Sequence, residues 1–142
     1  MNQAEARALI EPFYDLFRAD RRDWDAGFAV LADGWRSYYT NTEYRTKADT
    51  RPYIEGLFKI VPDINVEVLQ VAVDGPVIAV RSELSGTPQT DFMVPHSGRP
   101  FSIMTIDLHQ VDADGRIATL HHLEDWGTAI TQLRGEQEGK QA

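Results

Sequence analysis

The second half of the chain alternates between apolar and polar residues with the period of two that is typical of β-strands. Residues 64–73 alternate cleanly, and Asp74-Gly75 predicts a hairpin turn into a returning strand over residues 77–85. Residues 101–110 and 118–124 predict a second hairpin around another Asp/Gly turn. The pattern therefore predicts consecutive antiparallel strands.

The first half of the chain shows helical spacing instead. Apolar residues recur at intervals of three and four over residues 4–19, 24–31 and about 46–60. A short strand is predicted over residues 35–40, and a last helix over about 126–133. Helices followed by consecutive strands predict an α+β fold, with the helices gathered on one face of a single sheet.

Several predicted strands are apolar on both faces. Ile103 faces one side of its strand, whereas Met104, Ile106 and Leu108 face the other. A sheet with one solvated face does not need this second apolar row. We therefore expect a homodimer that forms through the outer face of the sheet.

Length and charge narrow the class of protein. With 142 residues the chain is predicted to form one domain over 1–134, followed by a disordered polar tail over 135–142. Its formal net charge of -8 argues against nucleic acid and anionic membranes as partners. No apolar run is long enough for a membrane span and the N-terminal region shows no secretion signal, so a cytoplasmic location is expected.

Groups that could transfer protons near neutral pH concentrate on the second hairpin. Three of the four histidines, His109, His121 and His122, lie there beside acidic residues. His121 and His122 face opposite sides of their strand, and no HxH, HxxxH or HExxH spacing occurs. Since the chain also lacks cysteine, no metal site is predicted. A site built from His109, His122 and Asp107 is the less favoured alternative.

Four short motifs punctuate the predicted strands: Pro62-Asp63, Ser85-Gly86-Thr87, Ser97-Gly98-Arg99 and Gly115-Arg116-Ile117. In this order the pattern resembles the SnoaL-like polyketide cyclases of the nuclear transport factor 2-like superfamily, over about residues 34–133. The resemblance implies a cone in which a strongly curved antiparallel sheet wraps on three N-terminal helices, with a short C-terminal helix and a pocket at the open end.

The resemblance also implies a reaction. Characterised cyclases of this kind close a polyketide ring by intramolecular aldol condensation without metal or cofactor, using an acid on the last strand near a histidine on the strand before. Those two places hold His122 and Asp107 here, so the residue types are exchanged. His122 is the predicted acid/base, and Asp107 the group that orients it. We expect a lyase or isomerase with no cofactor.

The predicted pocket wall is rich in aromatic residues, which suits a flat hydrophobic substrate. Its residues are Tyr14, Phe17, Trp35, Tyr39, Phe58, Phe101, Ile103 and Leu120. Tyr14 or Tyr39 could donate a hydrogen bond to an enolate oxygen. Glu124 is interpreted as a solvated residue at the rim, His109 as an exposed residue near a turn, and Asp125 as the cap of the last helix rather than a catalytic acid.

Two alternatives stay open at this point. The first is the opening of an epoxide by water, as in related epoxide hydrolases, with Arg81 serving alongside Asp107. The second is a small-molecule-binding dimer without catalytic activity.

Overall fold

The computed structural model describes residues 1–136 and folds them into one curled six-stranded sheet with four helices. The elements in chain order are α1 (Gln3–Asp15), α2 (Trp24–Ala29), β1 (Leu31–Tyr38), β2 (Tyr44–Thr46), α3 (Lys47–Ile60), β3 (Asn65–Asp74), β4 (Val77–Gly86), β5 (Phe101–Val111), β6 (Ile117–Glu124) and α4 (Trp126–Leu133). The predicted α+β class is confirmed. The domain boundary stays a prediction, and most of the predicted tail, residues 137–142, lies outside the described part.

The strands are ordered β2-β1-β6-β5-β4-β3 across the sheet. Every neighbouring pair is antiparallel except β1 and β6, which pair in parallel. The sequence predicted consecutive antiparallel strands. The exception arises because β1 and β6 lie far apart in the chain, and a parallel pair needs only a long connection between its strands.

The alternation predicted for β5 is confirmed. Its inward side chains are buried and its outward ones are exposed. The inward row consists of Phe101, Ile103, Thr105, Asp107 and His109. Three members of this row are polar, so the interior of the curled sheet contains groups that need hydrogen-bond partners.

The second predicted helix is shorter than expected. Helix α2 ends at Ala29, and Leu31, which was predicted to continue the helix, begins β1 instead. The Ile117 N–H donates to the Val30 carbonyl at 2.8 Å, so pairing with β6 captures the backbone at this point. A local apolar spacing does not reveal this competition, because the pairing partner lies some 87 positions later in the sequence.

The helices close the concave side of the sheet. Helix α1 packs against β3, α3 against β1 and β2, and α4 against β5. Helix α3 begins with Thr46 as its N-cap, which forms a reciprocal pair of hydrogen bonds with Asp49. This arrangement fixes β2, which immediately precedes the helix, at the edge of the enclosed space.

Two of the short motifs meet after α3. The Asp63 carboxylate accepts a hydrogen bond from the Thr87 backbone N–H at 2.7 Å. A Cβ on Gly86 would lie 2.4 Å from Val61 Cγ1, so only glycine allows this close approach. Thus the Pro62-Asp63 and Ser85-Gly86-Thr87 segments are explained by packing rather than by chemistry.

Candidate active site

A cavity lies inside the curled sheet, between its concave face and helices α1 and α3. It contains about 700 Å³ of free space, counting its open mouth. Most of its wall is apolar, and its polar members cluster on β5, β6 and the β1–β2 edge. The lining residues are Phe13, Tyr14, Phe17, Trp35, Ser37, Arg45, Thr50, Tyr53, Leu57, Val66, Leu84, Thr105, Asp107, Leu120, His122, Glu124 and Trp126.

A buried polar network joins Tyr14 and Asp107, which line the cavity, to His109 behind them. The Tyr14 hydroxyl donates to Asp107 Oδ2 at 2.6 Å, and His109 Nε2 lies 2.9 Å from the same hydroxyl. All three side chains are buried. Because a hydroxyl carries one proton, the Tyr14 bond to a charged Asp107 requires His109 to donate through Nε2–H. His109 Nδ1, which then carries no hydrogen, is buried without a partner in the described chain.

Burial shifts the proton affinity of all three members of this network. Loss of solvation raises the pKa of Asp107 to about 6, although the Tyr14 hydrogen bond and the nearby His122 both act to lower it. Burial, followed by the charge on His122, lowers the pKa of His109 to about 3. The pKa of Tyr14 is raised well above its ordinary value by burial and by Asp107. At neutral pH His109 and Tyr14 are therefore uncharged.

A second network lies nearer the mouth. His122 Nδ1 and Glu124 Oε1 are 2.8 Å apart, and the side chains are only 12% and 22% exposed. Residues two apart on a strand share a face, which explains why the two groups meet. If Nδ1–H donates to Glu124, the other ring nitrogen of a neutral His122 carries a free lone pair. That is the protonation state a general base needs.

The predicted couple of His122 and Asp107 lies together, but not with the predicted contact. The two residues are direct partners across the β5–β6 ladder and both line the cavity. The hydrogen bond that orients the His122 ring comes from Glu124, whereas the described hydrogen bond of the Asp107 carboxylate comes from Tyr14. The contact expected between Asp107 and the His122 ring is thus made by Glu124 instead, because the same-strand neighbour lies within reach of the ring.

Four of the eight predicted wall residues line the cavity, namely Tyr14, Phe17, Trp35 and Leu120. The other four do not. Phe101 and Ile103 are buried farther along β5, where Phe101 packs on Trp126. Phe58 contacts the guanidinium of Arg22, and Tyr39 is 39% exposed beyond the end of β1. These four side chains point inward or are aromatic, as the wall residues are, but they lie outside the cavity.

The structure places the three remaining candidates, Arg81, Asp125 and His109, in different surroundings. Arg81 faces outward, where its Nε donates to Gln70 at 3.2 Å across the β3–β4 ladder, so its side chain lies on the opposite face of the sheet from that of Asp107. Asp125 caps α4 by accepting from the Thr128 N–H, as the sequence suggested. The prediction that His109 is exposed is wrong, because α1 covers this end of β5 and brings Tyr14 against its ring.

Glu124 was interpreted as a solvated residue at the rim, and Arg45 and Tyr53 were not among the predicted site residues. All three line the cavity. The signal for Glu124 was present, since it shares a face with His122. Arg45 lies on a three-residue strand and Tyr53 in the second turn of the helix that follows it, and no local pattern indicates that both side chains reach the cavity. Their Cζ-to-ring distance of 3.9 Å is a tertiary contact.

Within residues 1–136, no group of three or more histidine, aspartate or glutamate side chains is arranged to hold a metal ion. No helix in the same part of the chain is long and apolar enough to cross a membrane.

Comparison with known proteins gives one family, whereas the similar structures carry two different proposed activities. The model of the SnoaL-like domain matches residues 10–120. No curated protein matches the chain. Among solved structures, IdmH of Streptomyces antibioticus, a proposed polyketide cyclase, is 23% identical with a TM-score of 0.79, over 94% of this chain and 99% of its own.

AclR of Streptomyces galilaeus, a proposed hydroxylase, is similar at 20% identity and a TM-score of 0.78, covering 99% of this chain and 87% of its own. A SnoaL-like polyketide cyclase proposed from Jannaschia is 20% identical with a TM-score of 0.73, over 94% and 92% of the two chains. At these identities the likeness establishes the nuclear transport factor 2-like fold and leaves the reaction to be argued from the site.

Proposed function

Because the chain belongs to the SnoaL-like domain family, we propose that it is a cofactor-independent acid/base enzyme acting on a hydrophobic carbonyl compound. The observation that carries this proposal is the His122–Glu124 pair in a largely apolar cavity, directly across a strand pair from Asp107. An imidazole held by one carboxylate and facing another is well suited to accept a proton and stabilise the resulting charge.

The proposed first step is removal of a proton beside a carbonyl group. His122 Nε2 accepts the proton, the electron pair of the C–H bond moves into the carbonyl, and an enolate forms. Glu124 stabilises the imidazolium through the Nδ1–H bond, and ionised Asp107 stabilises it from the facing strand. The apolar wall strengthens both attractions by excluding water.

Ring closure follows within the same substrate. The enolate carbon attacks a second carbonyl carbon and forms a carbon–carbon bond, and the alkoxide that results takes the proton back from the His122 imidazolium. No proton or electron is left over, so the sequence needs no co-reactant. If the substrate carries a β,γ carbon–carbon double bond instead of the second carbonyl, proton removal gives a dienolate, and return of the proton from the His122 imidazolium to the γ-carbon gives an isomerisation with the same residues.

The experiment that tests this proposal is exchange of α-protons for deuterium in 2-tetralone, a bicyclic ketone, followed by NMR in deuterated buffer. The wild-type protein should accelerate exchange, and His122→Gln should lower the enzyme-dependent rate by about 10²–10⁴-fold. His96→Gln, which changes an exposed histidine in the loop before β5, is the matched control.

Binding of 2-tetralone should be followed in parallel through the fluorescence of Trp35 and Trp126, which line the cavity. Binding without exchange in the wild-type protein would contradict the proposed enzyme and support the small-molecule-binding alternative. Unchanged exchange in His122→Gln would contradict the role of His122.

We also propose that two copies associate through the outer face of the sheet, in a cytoplasmic protein. Met104, Ile106, Leu108 and Leu123 are 41–71% exposed there, and Ile106 and Leu123 are direct partners on adjacent strands. An apolar surface of this kind is a typical interface. Leu123→Glu should halve the molar mass measured by light scattering, whereas Met93→Glu, which changes an exposed residue outside the sheet, should not. A monomeric wild-type protein would contradict the dimer.

A further inference from the structure

We propose that Arg45 binds an anionic group, best a carboxylate, on the molecule that occupies the cavity. Arg45 is the one cavity-lining side chain in the described residues that carries a permanent positive charge. The inference rests on the proposed function in one respect, since the anion is taken to belong to the same molecule as the reacting carbonyl.

The Arg45 guanidinium lies over the rings of two tyrosines. Its Cζ lies 3.9 Å from the ring centroid of Tyr53 and 4.5 Å from that of Tyr39. The attraction between a cation and an aromatic ring forms no hydrogen bond with the N–H donors of a guanidinium. The two tyrosines therefore hold the guanidinium in place without satisfying its hydrogen-bonding capacity.

The carboxylates near Arg45 are already bound elsewhere. Asp49 accepts from the backbone N–H and the hydroxyl of Thr46 in the cap of α3. Glu124 is bound to the ring of His122. Among the ion pairs of residues 1–136, none involves Arg45. Hydrogen bonds from Thr46 lower the pKa of Asp49 and the Arg45 charge adds to this shift, but the arginine and Asp49 form no ion pair. A half-buried cation that is not paired with a carboxylate, at the edge of an apolar cavity, favours an anionic ligand.

The sheet register places Arg45 and the proposed base, His122, close enough together to contact one ligand. Arg45 pairs with Ser37, and Ser37 pairs with Leu120, so the three residues form a row across β2, β1 and β6. All three line the cavity, and His122 follows Leu120 on the same face. Strand spacing and rise put the Cα atoms of Arg45 and His122 roughly 12 Å apart. Two inward side chains of these lengths can contact the same small molecule.

The geometry thus narrows the substrate class to a hydrophobic carbonyl compound that also carries a carboxylate. Other features of the cavity oppose an anion, because Asp107 and Glu124 both line it and repel negative charge. If the protein prefers an anionic ligand, the preference can therefore be attributed to Arg45 rather than to the overall charge of the cavity.

The test compares two probes of nearly equal shape, 2-naphthylacetate and neutral 2-naphthylacetamide, by isothermal titration calorimetry at pH 7.5. The wild-type protein should bind the carboxylate about tenfold more tightly than the amide, the factor expected from one charge-assisted hydrogen bond at a partly exposed site. Arg45→Gln should remove this preference while the affinity for the amide stays the same.

Three further variants make the result specific. Arg45→Met keeps an aliphatic stem over the tyrosine rings, so it should lose the preference as Arg45→Gln does and serves if that variant folds poorly. Arg36→Gln removes another arginine stacked on a tyrosine, Tyr44, but outside the cavity, and it should retain the full preference. His122→Gln removes the proposed base and should also retain it.

The proposal is overturned if the wild-type protein binds the amide as tightly as the carboxylate, if it binds neither, or if both Arg45 variants keep the preference. These outcomes are separate from those of the exchange experiment. A preference that depends on Arg45, in a protein that does not exchange the protons of 2-tetralone, supports the anion site and contradicts the acid/base function. Exchange that depends on His122, without a preference for the carboxylate, supports the acid/base function and contradicts the anion site.

Discussion

The two polar networks of the cavity differ in their access to solvent, and this difference separates their roles. Tyr14, Asp107 and His109 are at most 7% exposed, and burial shifts the pKa values of all three. His122 and Glu124 are half-buried near the mouth, where a ligand can reach them. The roles proposed above follow from this difference: the outer network is the more accessible to a ligand, whereas the inner network holds groups whose protonation is controlled by burial.

The burial of Asp107 has an effect on the stability of the protein that can be measured. Since burial raises the pKa of Asp107 to about 6, its carboxylate is less stable in the folded protein than in the unfolded chain at neutral pH. Stability from this group is present below pH 4 and is lost as the pH rises through 6. The inner network is therefore a place where activity and stability conflict.

The largest effect expected within the inner network comes from Asp107→Asn. Exchange of 2-tetralone protons should fall by about 10²-fold or more, because one of the two charges that stabilise the imidazolium is gone. At pH 7.5 the free energy of unfolding should rise by on the order of 3 kcal/mol, since asparagine can still accept from Tyr14 and carries no charge.

Urea denaturation at two pH values checks this prediction. The gain in stability should shrink as the pH approaches 4 and disappear below it, where the wild-type carboxyl group becomes protonated in both the folded and the unfolded state. A variant that is less stable than the wild-type protein at pH 7.5 would show that the buried charge is well compensated, and would contradict the proposed conflict.

The next largest effect concerns His109, whose contribution to stability has the opposite sign. Its pKa is lowered to about 3 in the folded protein, so the folded state binds fewer protons than the unfolded chain below pH 6.5. Stability from this group is present above pH 6.5 and is lost as the pH falls toward 3. In the wild-type protein this loss partly offsets the gain from Asp107.

His109→Gln removes this loss and can keep an N–H donor near Tyr14. Between pH 7 and pH 4 the variant should lose less stability than the wild-type protein, by on the order of 3 kcal/mol. Urea denaturation across this range measures the difference, with His96→Gln as the exposed control. Parallel curves for His109→Gln and the wild-type protein would show that His109 is not buried in its neutral form.

A smaller effect is expected from Tyr14→Phe, which removes the hydrogen bond to Asp107. That bond lowers the pKa of Asp107, so its loss should raise the pKa. If catalysis needs ionised Asp107, the acidic limb of the pH–rate profile should move upward from about pH 6. Stability should fall by about 1–3 kcal/mol, because His109 also loses its partner.

Tyr44→Phe changes an exposed tyrosine on β2 and should leave the pH profile of α-proton exchange in place. A pH profile of Tyr14→Phe that coincides with that of the wild-type protein would separate the inner network from catalysis.

The inner and outer networks also differ in how far the sequence could predict them. Alternation along β5 was enough to put Asp107 and His109 on one face, and the strand pairing brought Asp107 opposite His122, but the burial of His109 was not predicted. The sequence could not show that α1 delivers Tyr14 to the same point, because the contact joins residues 93 positions apart. Nor could it show that Arg45 reaches the cavity from the edge strand.

The smallest expected effect is that of Arg81→Gln, which tests the boundary of the site. Arg81 was predicted as a partner of Asp107 for epoxide opening, and its strand register does place it near: its direct partner is Ile106, next to Asp107. One position along a strand reverses the direction of the side chain, so Arg81 lies on the outer face and bonds to Gln70. Exchange of 2-tetralone protons in Arg81→Gln should therefore stay within about twofold of the wild-type rate, and stability within about 0.5 kcal/mol. A loss comparable to that of Asp107→Asn would mean that the outer face takes part in the reaction, and the division between the two faces of the sheet would then be wrong.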